Sequence, residues 1–211
     1  MSDFAENMAN AGQLSTARRA YKYVLDKGEE CVFYQRSLIG YANVMYESFI
    51  QTPDKGERLE ELKKLCSLVF EKCGYGKECF ETILSAAEVL AFYDSQAEQA
   101  VELLERCIKT PGFSINEKAE MKLLSAEIYN RFGDSWQASL LCSQVEKDCK
   151  NSPLADRAKF FKAMLSYYNG EIEWALSQFK SLRASTTKLI SNDAMEYSVL
   201  IAENRDDDST F

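Results

Sequence analysis

Nucleophilic chemistry in this chain would have to come from thiols or carboxylates, because it holds seven cysteines, 33 acidic residues and no histidine. A missing imidazole removes the usual general base, the commonest metal ligand and every catalytic triad that runs through histidine. The cysteines are Cys31, Cys66, Cys73, Cys79, Cys107, Cys142 and Cys149. Without histidine, a cysteine nucleophile needs a lysine or a helix N-terminus to lower its pKa, and nothing singles out one of the seven for that. Several stand inside apolar helical patterns, as in Leu65-Cys66 and Leu141-Cys142, and read as buried reduced thiols acting as small hydrophobes. Cys73 and Cys79 are six apart with Gly-Tyr-Gly between them. That is not a zinc-knuckle spacing, although a disulfide between them is sterically conceivable. Paired carboxylates such as Glu60/Glu61 and Asp206-Asp207-Asp208 read as solvated surface charge. No GxSxG, HExxH, Walker or GxGxxG pattern occurs. The expectation is a protein that is no enzyme and takes no metal and no cofactor.

The elements that position these residues are helices. The chain has 211 residues, 46% apolar and 27% charged, enough to bury a core as one or two domains. Only nine glycines and three prolines occur, too few for the turns of an all-β fold. A net charge of −8 argues against nucleic acid as a partner, since a phosphate backbone rewards clustered Lys and Arg. No stretch approaches the roughly 18 apolar residues that span a bilayer, so membrane insertion is not expected. The opening MSDFAENMANAG has acids and no apolar run, unlike a signal peptide. It implies a cytoplasmic protein if Met1 is the true start. A segment of a longer secreted chain would instead belong in the cell envelope or periplasm.

Apolar residues recur at helical spacing from end to end, as in Leu123, Leu124, Ile128 and Phe132, or Ala158, Phe161, Leu165 and Tyr168. Thr52-Pro53 and Ser152-Pro153 each read as an N-cap followed by proline at the first helical position. Ser114 with Glu117, and Ser95 with Glu98, fit the capping box. Pro111-Gly112 closes the helix before it. The pattern predicts about eleven helices and no strand.

Self-similarity sharpens this. Gly170 lies five residues before Ala175, with Phe179 four further on. Gly133, Ala138 and Cys142 repeat the spacing, as do Gly12, Ala17 and Tyr21, and, with serine in place of glycine, Ser95, Ala100 and Leu104. Aromatics precede each later turn: Phe92-Tyr93, Tyr129 and Tyr167-Tyr168. Glycine lets the chain reverse, alanine lets two helices approach, and the aromatic fills the wedge between them. A period near 38 residues with two helices each is that of an α-solenoid.

These residues resemble the tetratricopeptide repeat (TPR) family. The match is closest in MLSYYNGEIEWALSQFKSL, Met164 to Leu182, and next in AEIYNRFGDSWQASLLCSQV, Ala126 to Val145. The unit at Leu62 and Cys66 departs most, with leucine in place of the small alanine and a longer loop before it. The stretch RASTTKLISNDAMEYSVLI looks similar to the C-terminal parts of large bacterial TPR proteins. The resemblance implies an all-α, right-handed α-solenoid in a single domain, with units near 1–28 (partial), 29–74, 75–112, 113–151, 152–188 and 189–205 (partial). A disordered acidic tail, 206–211, is expected to follow. It implies a scaffold that holds a protein or peptide in a concave groove of first helices. The alternative is a structural or self-association segment of a longer repeat protein, using the apolar Met195, Val199, Leu200 and Ile201 of its last helix.

The family's carboxylate clamp, built from Lys, Asn and Arg on successive first helices, is not expected. The comparable positions here hold Ile83, Ala86, Leu90, Phe161 and Leu165, and only the adjacent Asn130 and Arg131 are of the right type. Partner contacts are expected instead at Tyr93 and Tyr168, with Phe92 and Tyr167 wedged into their hairpins. Glu127, Asn130 and Arg131 would add hydrogen bonds, with Leu165 one turn below Tyr168. Residues 151–190 carry six bases and three acids and residues 191–211 six acids and one base. That imbalance reads as solvated helix faces, or as a basic hairpin that docks an acidic segment.

Overall fold

The computed structural model describes residues 1–53, 55–185 and 188–208. Among these the regular structure is α-helical, with no strand, and falls into two compact units. The first, Met1–Phe113, contains α1 (Ser2–Asn10), α2 (Leu14–Leu25), α3 (Tyr34–Ile50), α4 (Gly56–Cys73), α5 (Phe80–Glu88) and α6 (Ala97–Lys109). A 3-10 turn, Lys77–Cys79, leads into α5, and a π-turn, Val89–Tyr93, continues it. The second unit, Ser114–Phe211, contains α7 (Ile115–Arg131), α8 (Ser135–Asp148), α9 (Pro153–Tyr168), α10 (Ile172–Ser185) and α11 (Lys188–Asp208). Within each unit every helix packs on the next. The first helices of successive hairpins also touch: α1 with α3, α3 with α5, α7 with α9, and α9 with α11.

Helix starts follow local chemistry. Ser114 accepts from the Glu117 N–H at 3.2 Å while the Glu117 carboxylate accepts from the Ser114 N–H at 2.6 Å, closing a capping box ahead of α7. Ser152 accepts from the Ala155 N–H with Pro153 opening α9. Two expected starts are corrected. Thr52 donates its hydroxyl back to the Ser48 carbonyl at 2.8 Å, so it finishes α3, and α4 begins only at Gly56. Ser95 caps nothing. Gln96 is the N-cap of α6, and Ser95 takes a left-handed φ of 56°, standing where Gly133 and Gly170 take 93° and 81°.

Hairpin packing rests on the repeated small residue. Ala17, Ala100, Ala138 and Ala175 are all fully buried, each at the spacing read from the sequence. Behind them lie the repeat's larger residues, Tyr21, Leu104, Cys142 and Phe179, also buried. In the second unit Ala138, Cys142 and Val145 of α8 pack on Leu123 and Ala126 of α7 and on Leu165 of α9. Ala175 and Phe179 of α10 pack with Ala163 of α9 and Ala194 and Ile201 of α11. In the first unit Met45 and Phe49 of α3 meet Leu62 and Cys66 of α4 and Ala86 of α5. Burying a side chain such as Phe179 or Leu62 is worth about 1.5–3 kcal/mol, so each helix pair adds its own increment.

The turns themselves differ by one residue. Three are closed by an N–H reaching the carbonyl five residues back: Gln13 to Met8, Asp134 to Tyr129 and Glu171 to Ser166. At Ser95 the equivalent bond runs from Gln96 to Leu90, six back, at 2.7 Å. The π-turn has taken in one extra residue. At the far end α11 continues to Asp208 and so includes the first three residues of the tail expected to be disordered, since extending a formed helix adds a bond per residue. Residues 209–211, and the side chains of Asp206, Asp207 and Asp208, lie outside the described residues.

Candidate functional site

The residues singled out above are not brought to one place. Tyr93 belongs to the first unit, while Glu127, Asn130, Arg131, Leu165 and Tyr168 belong to the second. In the second unit the expected division of the tyrosine pair is present. Tyr167 is half-buried against the α9–α11 core, with its ring 6.5 Å from that of Tyr197, whereas Tyr168 is 66% exposed. Glu127, Asn130 and Arg131 occupy the end of α7, and Tyr168 the end of the neighbouring α9, each next to its hairpin turn. Leu165 does not join them. At 3% exposure it is buried, because residues of α7 and α8 cover that part of the α9 stripe while Tyr168 stands at the helix end.

The other pair is displaced by the π-turn. Phe92 does not wedge into its hairpin but is 40% exposed. Counting back from the turn equates Phe92 with Tyr167, and the extra residue breaks that equivalence. Tyr93 instead sets its edge against the Phe49 ring at 5.0 Å, with the Lys55 ammonium 4.1 Å above its face.

A cleft that sequence reasoning missed lies in the first unit, on the side formed by α1, α3 and α5. It encloses about 490 Å³. Arg36, Ile39, Asn43 and Glu47, spaced along α3 by three or four residues, form its central stripe. Asn10 closes one side and Ser85 the other. Arg36 is held by Asp3 at 2.7 Å and Glu6 at 2.6 Å, which ties α3 to α1. Asn43 accepts from the Thr82 hydroxyl at 2.8 Å, tying α3 to α5. The Tyr46 hydroxyl donates to Glu88, and burial, reinforced by that carboxylate, pushes the phenol's pKa well up. Gly40 makes the floor possible: a Cβ there would stand 2.4 Å from Cζ of Tyr21. A mid-helix glycine flanked at helical spacing by Arg36, Asn43 and Glu47 is the one local hint of this face in the sequence, and it does not show that α1 and α5 close around it.

Nothing in the thiols favours reaction. Burial pushes Cys66, Cys79 and Cys142 up to about 12, so they are protonated near neutral pH. Cys73 and Cys79 are close enough for a hydrogen bond between their thiols, yet all seven cysteines are free. Among the described residues no three Cys, Asp or Glu side chains stand as a metal-binding group, and no helix is long and apolar enough to cross a membrane.

Comparison with known proteins places the fold. Solved structures similar to this chain include a Podosopora anserina protein described as a kinesin light chain with nearly identical TPR-like repeats. It shares 17% identity at a TM-score of 0.63, over 87% of this chain and 92% of that one. A variant of the same protein matches equally, at 17% identity and TM-score 0.63, over 87% and 91%. No family model and no curated protein matches the sequence. The likeness to these structures gives the chain an all-α, TPR-like helical-repeat fold. The likeness does not extend to a bacterial origin.

Proposed function

We propose that this protein is a non-enzymatic scaffold that holds a protein or peptide partner on the face made by its first helices. The observation that carries the reading is the cleft on α1, α3 and α5. It is of ligand-binding size and walled by polar side chains that ion pairs and a hydrogen bond hold in place. In the second unit the end of α7 with Glu127, Asn130 and Arg131, beside the exposed Tyr168, would extend the same kind of contact. Aromatic and arginine side chains are the groups that dominate such interfaces. Glu47 is exposed on the central stripe, so Glu47→Lys reverses a charge without opening the core. Partner capture by Glu47→Lys, by Tyr168→Ala and by the unaltered protein should be compared alongside their thermal melts. Lost capture at unchanged stability supports the reading. Full capture by both variants refutes it.

A second reading, self-association through α11, is favoured by one observation. Met195, Val199 and Leu200 are 49%, 42% and 41% exposed on that helix, in a shallow patch with Glu196 and Glu203, whereas Ile201, expected on the same face, is buried in the core. Sedimentation at several concentrations tests it, and a strict monomer at all of them refutes it.

A further inference from the structure

The π-turn at Val89–Tyr93 has an effect on its other side. Such turns give up good hydrogen-bond geometry, and they recur where a wall must be displaced for function. Here the displaced segment forms the floor of a second cavity in the first unit, about 530 Å³, between α4 and α6. Val89 and Leu90 are its base, Cys66 and Phe70 of α4 one wall, and Leu103 of α6 the other. It lies among second helices and has no lining residue in common with the cleft on α1, α3 and α5, the two taking different residues of α5. Along α4 its lining runs from Lys63 to Phe70, two helical turns or about 10 Å.

The two ends of this groove differ in charge. Lys63 is already engaged, by Asp94 at 2.8 Å and Glu60 at 3.1 Å. Arg106 is not: it has no carboxylate within ion-pair distance among the described residues. Its guanidinium carbon lies 3.7 Å from the centre of the Tyr75 ring, which in turn stacks on Phe70 at 4.7 Å and 21°. A guanidinium seated over an aromatic ring is held in place before any ligand arrives, while its N–H groups stay available to a carboxylate. Glu102, one turn earlier on α6 and exposed, repels an anion at its own position and so confines the carboxylate to the Arg106 end.

We infer that this groove docks a helical segment of another protein with a bulky apolar side chain over Val89 and Leu90 and an Asp or Glu one turn on, held by Arg106. The occupant follows from charge complementarity: an apolar base, one open cation, and a carboxylate that excludes a second anion. The inference rests on the reading of the protein as a peptide-binding scaffold, but it places a separate site on different helices.

The probe is a fluorescein-labelled, alanine-rich helical peptide with leucine at position i and aspartate at i+4, titrated by anisotropy. Two controls replace the aspartate with lysine or the leucine with alanine. The Leu/Asp peptide should bind at least about tenfold more tightly than either control. Arg106→Glu should remove that advantage and transfer it to the Leu/Lys peptide. Arg106→Lys, which keeps the charge but not the planar fork, should recover only part of it. Arg106 is exposed, so its variants should melt like the parent. Glu47→Lys should leave peptide binding intact, which separates this site from the first-helix face. Equal binding by Arg106→Glu, or loss with Glu47→Lys, overturns the assignment. So does Arg106-dependent self-association without peptide, because a second copy would then be the occupant.

Discussion

Gly40 offers a test in which two ordinary effects have opposite signs. It lies inside α3, where alanine normally stabilises a helix by about 0.5–1 kcal/mol over glycine. A Cβ at this position would stand 2.4 Å from Cζ and 2.7 Å from Cε1 of Tyr21, where ordinary contact begins near 3.4 Å. The Tyr21 ring is 4% exposed and packed with Ala5, Ala17 and Val44, so a shift of the ring disturbs that packing. Overpacking of this kind costs roughly 1–3 kcal/mol, which outweighs the helical gain. Gly40→Ala should therefore destabilise by about 1–2 kcal/mol. For a unit of this size each kcal/mol moves the melting temperature by about 4–8 °C. Urea unfolding followed by circular dichroism measures it, together with the same substitution in a Tyr21→Leu background. There the ring atoms are gone, and alanine should regain its stabilising sign. A Gly40→Ala protein more stable than the parent, or an equal loss in both backgrounds, would refute the close contact between α2 and α3.

Ala175→Leu should lower stability by roughly 1–3 kcal/mol, because Ala175 is fully buried where α10 crosses α9, whereas Lys180→Ala on the exposed side of α10 should hardly register in a thermal melt. Ser114→Ala removes one half of a reciprocal cap and should cost about 1 kcal/mol in urea, with little change for Ser95→Ala, which caps nothing. The Cys66 and Cys142 thiols, pushed from 9.0 up to about 12, should be slow to react with a disulfide reagent at pH 8 until urea is added. The folded chain then holds more thiol protons than the unfolded chain between about pH 9 and 12, so stability should fall as pH rises through that window. Cys66→Ala with Cys142→Ala should flatten the fall, and an unchanged slope would refute the burial assigned to these thiols.

The repeat was legible because its signals are local. Glycine or serine at the turn, alanine five residues on and a large residue four later occupy one hairpin, and burial of Ala17, Ala100, Ala138 and Ala175 follows directly. The cap at Ser114 was legible for the same reason. Ser95 shows the limit, since its type permits either a cap or a left-handed turn, and packing on both sides selects the turn. The π-turn left no mark in the spacing downstream of Ser95, so Phe92 was assigned to a wedge that it does not fill, while Tyr93 is exposed. Leu165 and Tyr168 lie on one stripe of α9 in sequence, but only α7 and α8 determine which part of that stripe is covered. Both cavities are likewise tertiary. The groove at Arg106 needs α4, the loop carrying Tyr75 and α6 together, and no residue pattern joins those three.

Site-specific photo-crosslinking in cells tests most directly whether the first-helix face is where partners are held. A benzophenone side chain would be placed at Glu47, on the cleft stripe of α3, and in a second protein at Arg19, exposed on α2. Illumination at Glu47 should give a discrete protein adduct, abolished by unlabelled wild-type competitor, and illumination at Arg19 should give none. Adducts of equal yield at both positions, or at Arg19 alone, would contradict the account.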